Sequence, residues 1–187
     1  MQKPLLVLDL DETLMHASMY GLPRTLDFRI GPYGALKRPY VAEFIEFCLE
    51  YFEVAVWTSS SETYAQIAVK ELFPSPDRLA FLWSREHCGM EMRNGGLEVA
   101  WIKNLQRVEE QGYALARMIA IDDSPEKYCY QPENLLPCAP FYGDPADHEL
   151  LDLADYLDAA RREGDLRRLE LAHWKQVLAA TAGKARD

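Results

Sequence analysis

No stretch of this sequence approaches the ~20 consecutive apolar residues that a membrane-crossing helix requires. The N-terminus offers only a lone Lys3 and an apolar run too short for the core of a signal peptide. Both shortages lead to the expectation of a soluble, cytoplasmic protein with no membrane partner. Cysteine is sparse: Cys48, Cys88, Cys129 and Cys138 are scattered, and no pair has the spacing of a zinc knuckle or a redox motif. Reduced thiols in or near the core are expected, as in a cytosolic protein. Positive charge is also in short supply. Twenty Lys and Arg face thirty Asp and Glu, a formal net charge of −10, which argues against a nucleic-acid partner, whose binders carry basic patches. The small basic cluster Arg161, Arg162, Arg167 and Arg168 alternates with acids and reads as a solvated helix face. Internal repeats and low-complexity tracts are missing as well.

What the 187 residues do have is apolar content, 49% of the chain, which excludes a disordered protein and suits one domain with a sizeable core. Its most informative string is Leu5-Leu6-Val7-Leu8-Asp9-Leu10-Asp11-Glu12-Thr13-Leu14. The apolar run over residues 4–8 reads as a buried strand, parallel and covered on both faces. Two carboxylates and a hydroxyl stand where that strand ends, and ligands of open α/β sheets bind at the carboxyl ends of strands. A carboxylate buried there calls for a compensating cation.

The rest of the chain alternates strands with helices. Residues 15–37 form a flap in which Asp27–Ile30 and Ala35–Lys37 pair as a hairpin about the turn Gly31-Pro32-Tyr33-Gly34. Pro39 opens a helix whose apolar stripe runs from Val41 to Phe52. Glu53–Trp57 is a strand. Ser59 and Glu62 have capping-box spacing for a helix that runs to about Phe73. Leu79–Trp83 is a third strand, and residues 86–102 hold a short hairpin turning at Asn94-Gly95-Gly96. A short helix over Asn104–Gln111, a strand over Met118–Ile121, a short helix opened by Pro125 and a short strand at Leu135–Cys138 follow. Asp144 and Pro145 open a helix to about Arg162, and Leu166 to about Ala180 is a last helix. This pattern predicts an α/β fold, a mostly parallel central sheet with helices on both faces. Residues 1–163 are expected to form the domain, and residues 164–187 a C-terminal helix and tail that packs on it or reaches a partner.

In such a sheet, several strand ends carry reactive groups: Asp9 and Asp11 on the first, Thr58 and Ser59 on the second, Asp122-Asp123 on the last core strand, with Lys103 between them in sequence. Taken alone, Asp9 and Asp11 are equally readable as turn acids; gathered with Asp122-Asp123 and Lys103 they read as a site. Oxygen ligands suit a hard cation such as Mg²⁺. Asp9 and Asp123 are the candidate side-chain ligands and the backbone carbonyl of Asp11 a third, while Asp122 binds through water or holds Lys103. In a phosphate reaction Asp9 would attack phosphorus, and Asp11 would serve as acid and then base, for which its carboxyl must lie above the ordinary ~3.9. Thr58 and the first amides of its helix would bind phosphoryl oxygens, and Lys103 would neutralise charge. Thr13 is divided between a site role and a local cap.

The residues just quoted resemble the haloacid dehalogenase (HAD) superfamily, specifically its FCP/SCP-like phosphatases, also called NLI-interacting-factor-like or small C-terminal-domain phosphatases. Residues 5–14 match that family's DxDxT signature. Leu36-Lys37-Arg38-Pro39, Val54-Ala55-Val56-Trp57-Thr58-Ser59, Ile102-Lys103-Asn104-Leu105 and Ile121-Asp122-Asp123-Ser124-Pro125 resemble its later motifs, and the likeness covers most of residues 3–160. The resemblance implies a Rossmann-like HAD fold and a Mg²⁺-dependent aspartate nucleophile acting on phosphoserine or phosphothreonine in proteins. It carries the nucleophile to Asp9, the acid/base to Asp11, phosphate contacts to Thr58 and Lys103, and metal binding to Asp9, Asp11 and Asp123. It adds Arg85 as a substrate-side arginine. The spaces between motifs leave no room for a large cap domain, which favours a protein segment as substrate over a small metabolite. Two alternatives stay open, a small-molecule phosphomonoesterase and a non-catalytic binding module. The oligomeric state has no signal in the sequence.

Overall fold

In a computed structural model that describes residues 3–163 and 171–184, ten strands and five α-helices arrange as three sheets with helices against the largest. Strand β1 (Leu5–Leu8) lies at the centre of a five-stranded sheet, between β5 (Glu53–Trp57) and β9 (Met118–Asp122). The outer strands are β6 (Leu82–Trp83) and β10 (Leu135–Pro137), and every pairing is parallel. Side chains along a strand alternate between faces, and β1 uses both. Leu6 and Leu8 join the core formed with α1 (Val41–Tyr51), α2 (Glu62–Leu72) and α4 (Glu149–Glu163). Leu5 and Val7 join a second core with Trp57, Leu105, Val108 and Tyr128, beside the short helix α3 (Gln106–Glu109). Both faces of β1 are therefore dry, which is why it reads as an unbroken apolar run.

The flap is larger than the hairpin expected over residues 15–37. It is a three-stranded antiparallel sheet in the order β2 (Met15–Ser18), β4 (Tyr33–Lys37), β3 (Phe28–Ile30). The extra strand follows from a tight turn in which the Leu10 carbonyl accepts the N–H groups of Thr13, Leu14 and Met15, while Glu12 takes a left-handed φ of 58°. The turn lays Met15–Ser18 beside β4, although Met-His-Ala-Ser carries little strand signal of its own. Gly143, at φ 102°, closes against the flap. A Cβ there would meet the Pro23 ring at 2.6 Å and Leu36 at 2.7 Å.

Several helix starts move from their expected places. Pro39 lies in a turn, and α1 begins at Val41 after Tyr40, which has φ 64°. Ser61, not Ser59, is the residue before α2. Asp144 accepts the N–H of Ala146 in a turn, and Asp147, next to α4, accepts the N–H of Glu149. Asp147 also takes two hydrogen bonds from the buried Arg38 guanidinium, each 2.8 Å. Of the strand expected over Leu79–Trp83, only Leu82 and Trp83 keep strand geometry. The hairpin at residues 86–102 is present as β7 (Gly89–Arg93) and β8 (Glu98–Ile102), turning through Asn94–Gly96.

Part of the last helix expected over Leu166 to about Ala180 lies outside the described residues. The helix α5 (Trp174–Lys184) is present, and Trp174 is buried against the core with its indole N–H donating to the Pro137 carbonyl at 2.7 Å. Among the described residues no helix is long and apolar enough to cross a membrane.

Candidate active site

Because β1, β5 and β9 run parallel, their carboxyl ends open on one edge, and the reactive residues gather there. Asp9 follows β1 directly and its N–H donates to Ile121 in β9 at 3.0 Å, so the backbone of one acidic segment is tied to that of the other. Carboxylate oxygens of Asp9, Asp122 and Asp123 all lie within 4.8 Å of one another.

Asp9 and Asp122 are fully buried and share two lysines. Lys103 Nζ lies 2.8 Å from Asp9 Oδ1 and 2.6 Å from Asp122 Oδ2. Lys127 Nζ lies 3.2 Å from Asp9 Oδ2 and 3.2 Å from Asp122 Oδ1. Desolvating each ion costs several kcal/mol, which only close pairing offsets, and here each carboxylate oxygen meets an ammonium. Burial alone would push Asp9 up, but the two ammoniums outweigh it and hold its carboxyl below the ordinary range. Asp122 is moved upward, by burial first and then by the charge of Asp9. Lys103 is held above its ordinary value, because its two carboxylates overcome its own burial.

Asp123 is the third acid beside two ammoniums, and burial together with the charge of Asp122 pushes its carboxyl up to about 7. The excess negative charge and the all-oxygen donor set fit a hard divalent cation. Asp9 and Asp123, with Asp122 behind them, are the side chains placed to hold it.

Asp11 points elsewhere. Its carboxylate accepts hydrogen bonds from Ser60 Oγ at 2.8 Å and from the Tyr64 hydroxyl. Its side chain is not part of the acidic cluster, which leaves its backbone carbonyl as the only ligand it can offer. Burial raises the Asp11 carboxyl above the ordinary range, the Tyr64 and Ser60 hydroxyls oppose that, and the charge of Asp9 adds to it. Two neighbouring acids are thus pushed in opposite directions, Asp9 downward and Asp11 upward.

The remaining expected residues divide. Thr58 is buried at the end of β5, and its Oγ1 accepts the N–H of Ser60 at 3.0 Å, shaping the turn that aims Ser60 at Asp11. The Ser59 carbonyl accepts a hydrogen bond from Arg85 Nε at 2.6 Å. The Arg85 guanidinium covers the Trp101 ring at 5.2 Å and so joins the β7–β8 hairpin to the site rim. Thr13 is not brought to the cluster. Its fully buried Oγ1 faces Cys138 Sγ at 3.6 Å, and its carbonyl accepts from Arg38.

Lys127, Ser60 and Tyr64 are the site residues that motif spacing does not reveal. Lys127 lies on the 3₁₀ turn Pro125–Tyr128, whose curl returns its side chain to the doublet four residues earlier. The one sequence signal for it is a cation just after an acidic pair and a proline.

Residues 4–167 match the family described as NLI interacting factor-like phosphatase. The chain is 33% identical over 171 residues to a human CTD small phosphatase-like protein, covering 88% of this chain and 58% of that one. It is 30% identical over 181 residues to the CTD nuclear envelope phosphatase 1 of Xenopus laevis, covering 89% of this chain and 70% of that one. The chain thus spans little more than half the length of the human relative. Among solved structures it resembles that of Fcp1, an essential RNA polymerase II CTD phosphatase. The TM-score is 0.57 at 18% identity, with 94% of this chain and 53% of that one covered. That likeness carries the fold, a parallel α/β sheet of the HAD type.

Proposed function

This chain belongs to the NLI interacting factor-like phosphatase family, and from that premise we propose that it is a Mg²⁺-dependent phosphatase acting on phosphoserine or phosphothreonine in proteins. The observation that carries the reading is the convergence of Asp9 with Asp122 and Asp123 at the ends of adjacent parallel strands. A carboxylate nucleophile, its counter-cations and a cation-binding acid pair lie within contact range there, with Asp11 one turn away.

Asp9 is kept ionised and its oxygens face Lys103 and Lys127. An oxygen of Asp9 forms a bond to phosphorus as the bond from phosphorus to the serine or threonine oxygen breaks. Asp11 gives its proton to that departing oxygen. The anionic Asp11 then takes a proton from a water molecule, whose oxygen attacks the phosphoaspartate. Inorganic phosphate leaves and Asp9 is restored. The divalent ion, when bound, supplies the positive charge that lets an anionic carboxylate approach an anionic phosphate.

A protein substrate is supported by the shape of the site. The segments between the catalytic strands are taken up by the flap, by single helices and by the β7–β8 hairpin, which leave an open edge. Open clefts suit a chain segment, whereas enzymes of small metabolites commonly close over them. Four unpaired thiols support a reducing compartment such as the cytoplasm.

The test is hydrolysis of an aryl phosphate with Mg²⁺ against an Asp9→Asn control, followed by a phosphopeptide panel beside a panel of sugar phosphates and nucleotides. Turnover of phosphopeptides above that of metabolites is expected. Turnover confined to metabolites would make the chain a small-molecule phosphomonoesterase, and no turnover above the control would make it a binding module.

A further inference from the structure

Lys103 and Lys127 hold different oxygens of the nucleophile and differ in their access to solvent. The Lys103 side chain is 0% exposed, enclosed by Asp9, Asp122 and the ring of Tyr128, whose centroid is 5.7 Å from its Nζ. Lys127 remains 17% exposed. It forms part of the wall of an open cleft of about 280 Å³ that also includes Ser59, Arg93, Glu98 and Trp101. Lys127 thus borders that cleft while its ammonium lies 3.2 Å from Asp9 Oδ2. A lysine has three N–H donors. Lys127 directs them at two carboxylate oxygens at 3.2 Å, distances long for charge-assisted bonds, and one donor is left over. Lys103 holds its two carboxylates at 2.8 and 2.6 Å with its side chain fully buried.

We propose that Lys127 is a further catalytic residue, an ammonium that joins Lys103 in receiving the substrate phosphoryl oxygens beside Asp9. The proposal rests on the phosphatase reading and adds Lys127 to the phosphate contacts expected of Thr58 and Lys103. Lys127 is suited to the work because its ammonium already touches the attacking carboxylate. An oxygen of the phosphate dianion that accepts the spare N–H is thereby brought beside Asp9 Oδ2. The Trp101 ring, which carries the Arg85 guanidinium at 5.2 Å, lines the cleft beside Lys127.

The experiment is calorimetric titration of inorganic phosphate into the Mg²⁺-loaded protein, in parallel with aryl phosphate kinetics, for the wild type, Lys127→Met, Lys127→Gln and Lys127→Arg. Thermal melts establish that each variant folds. In the neutral variants the phosphate Kd and the KM are expected to rise about tenfold or more, the scale of a lost charge-assisted hydrogen bond. Lys127→Arg is expected to recover most of that loss, and the Mg²⁺ concentration for half-saturation is expected not to rise. Phosphate binding within twofold of wild type in either folded neutral variant overturns the proposal, as does a wild type that binds no phosphate. Failure of both neutral variants to fold assigns Lys127 to stability and overturns it too. A wild type that binds phosphate but hydrolyses no aryl phosphate defeats the phosphatase reading and not this one, because the titration requires no turnover.

Discussion

Lys103 Nζ and Asp122 Oδ2 are 2.6 Å apart with neither side chain exposed to solvent, and the same ammonium reaches Asp9 Oδ1 at 2.8 Å. Removing it leaves two buried carboxylates with Lys127 as their remaining ammonium. Breaking a buried ion pair from one side costs about 3–5 kcal/mol. Lys103→Met is therefore expected to lower the urea midpoint strongly without changing the slope. A loss under about 1 kcal/mol would show that the pair is wetter than its burial indicates.

Asp9 and Asp11 should fail in different ways. In the proposed mechanism Asp9→Asn removes the nucleophile, and turnover of an aryl phosphate is expected to fall to background. Asp11→Asn leaves the nucleophile and removes the proton carrier, a loss of about 10²–10⁴-fold in turnover, with Mg²⁺ half-saturation near that of wild type. Normal turnover of Asp11→Asn at saturating metal would contradict the acid/base assignment. Tyr64→Phe, which removes one of the hydrogen bonds to Asp11, is expected to fall between the two wild-type-like and defective extremes.

Metal removal is a third check. Chelation should abolish turnover and added Mg²⁺ should restore it. Asp123→Ala is expected to raise the Mg²⁺ concentration for half-activity by at least about tenfold, on the scale by which altered metal-site contacts change affinity. Activity that survives exhaustive chelation would remove the cation from the reading.

The thiols give a prediction independent of catalysis. Burial pushes Cys138 up to about 12 and raises Cys48 further, whereas Cys129 is exposed. The thiolate is the reactive form. At pH 8 a thiol reagent is expected to modify Cys129 first, and Cys48 and Cys138 only when the chain unfolds. Rapid modification of Cys138 in the native protein would mean that the packing of Thr13 against it is loose.

How much of this is legible in the sequence depends on whether a residue's role is set by its own strand or by its neighbours. Leu5–Leu8 announces a strand buried on both faces, and Asp9 and Asp122-Asp123 are found because each ends such a strand. Lys127 is not found, since only the curl of a 3₁₀ turn turns it back on the doublet. Thr13 is left divided between a site role and a local cap by its spacing from Asp11, and it is the turn at Leu10 that directs its hydroxyl at Cys138. The strand Met15–Ser18 is hidden because β4 pairs with it while its own composition says little. Asp147 passes for an ordinary helix-start acid until Arg38, distant in sequence, reaches it.

The β7–β8 hairpin meets the catalytic edge through Arg85, Trp101 and the cleft, while the nucleophile hangs from the middle of the five-stranded sheet. Under the proposed function, the acids that would cut the phosphate and the hairpin that would meet the chain carrying it are thereby mounted on separate parts. Substitutions on the exposed turn of the hairpin are then expected to shift the ranking of phosphopeptides in a panel while turnover of an aryl phosphate stays near wild type.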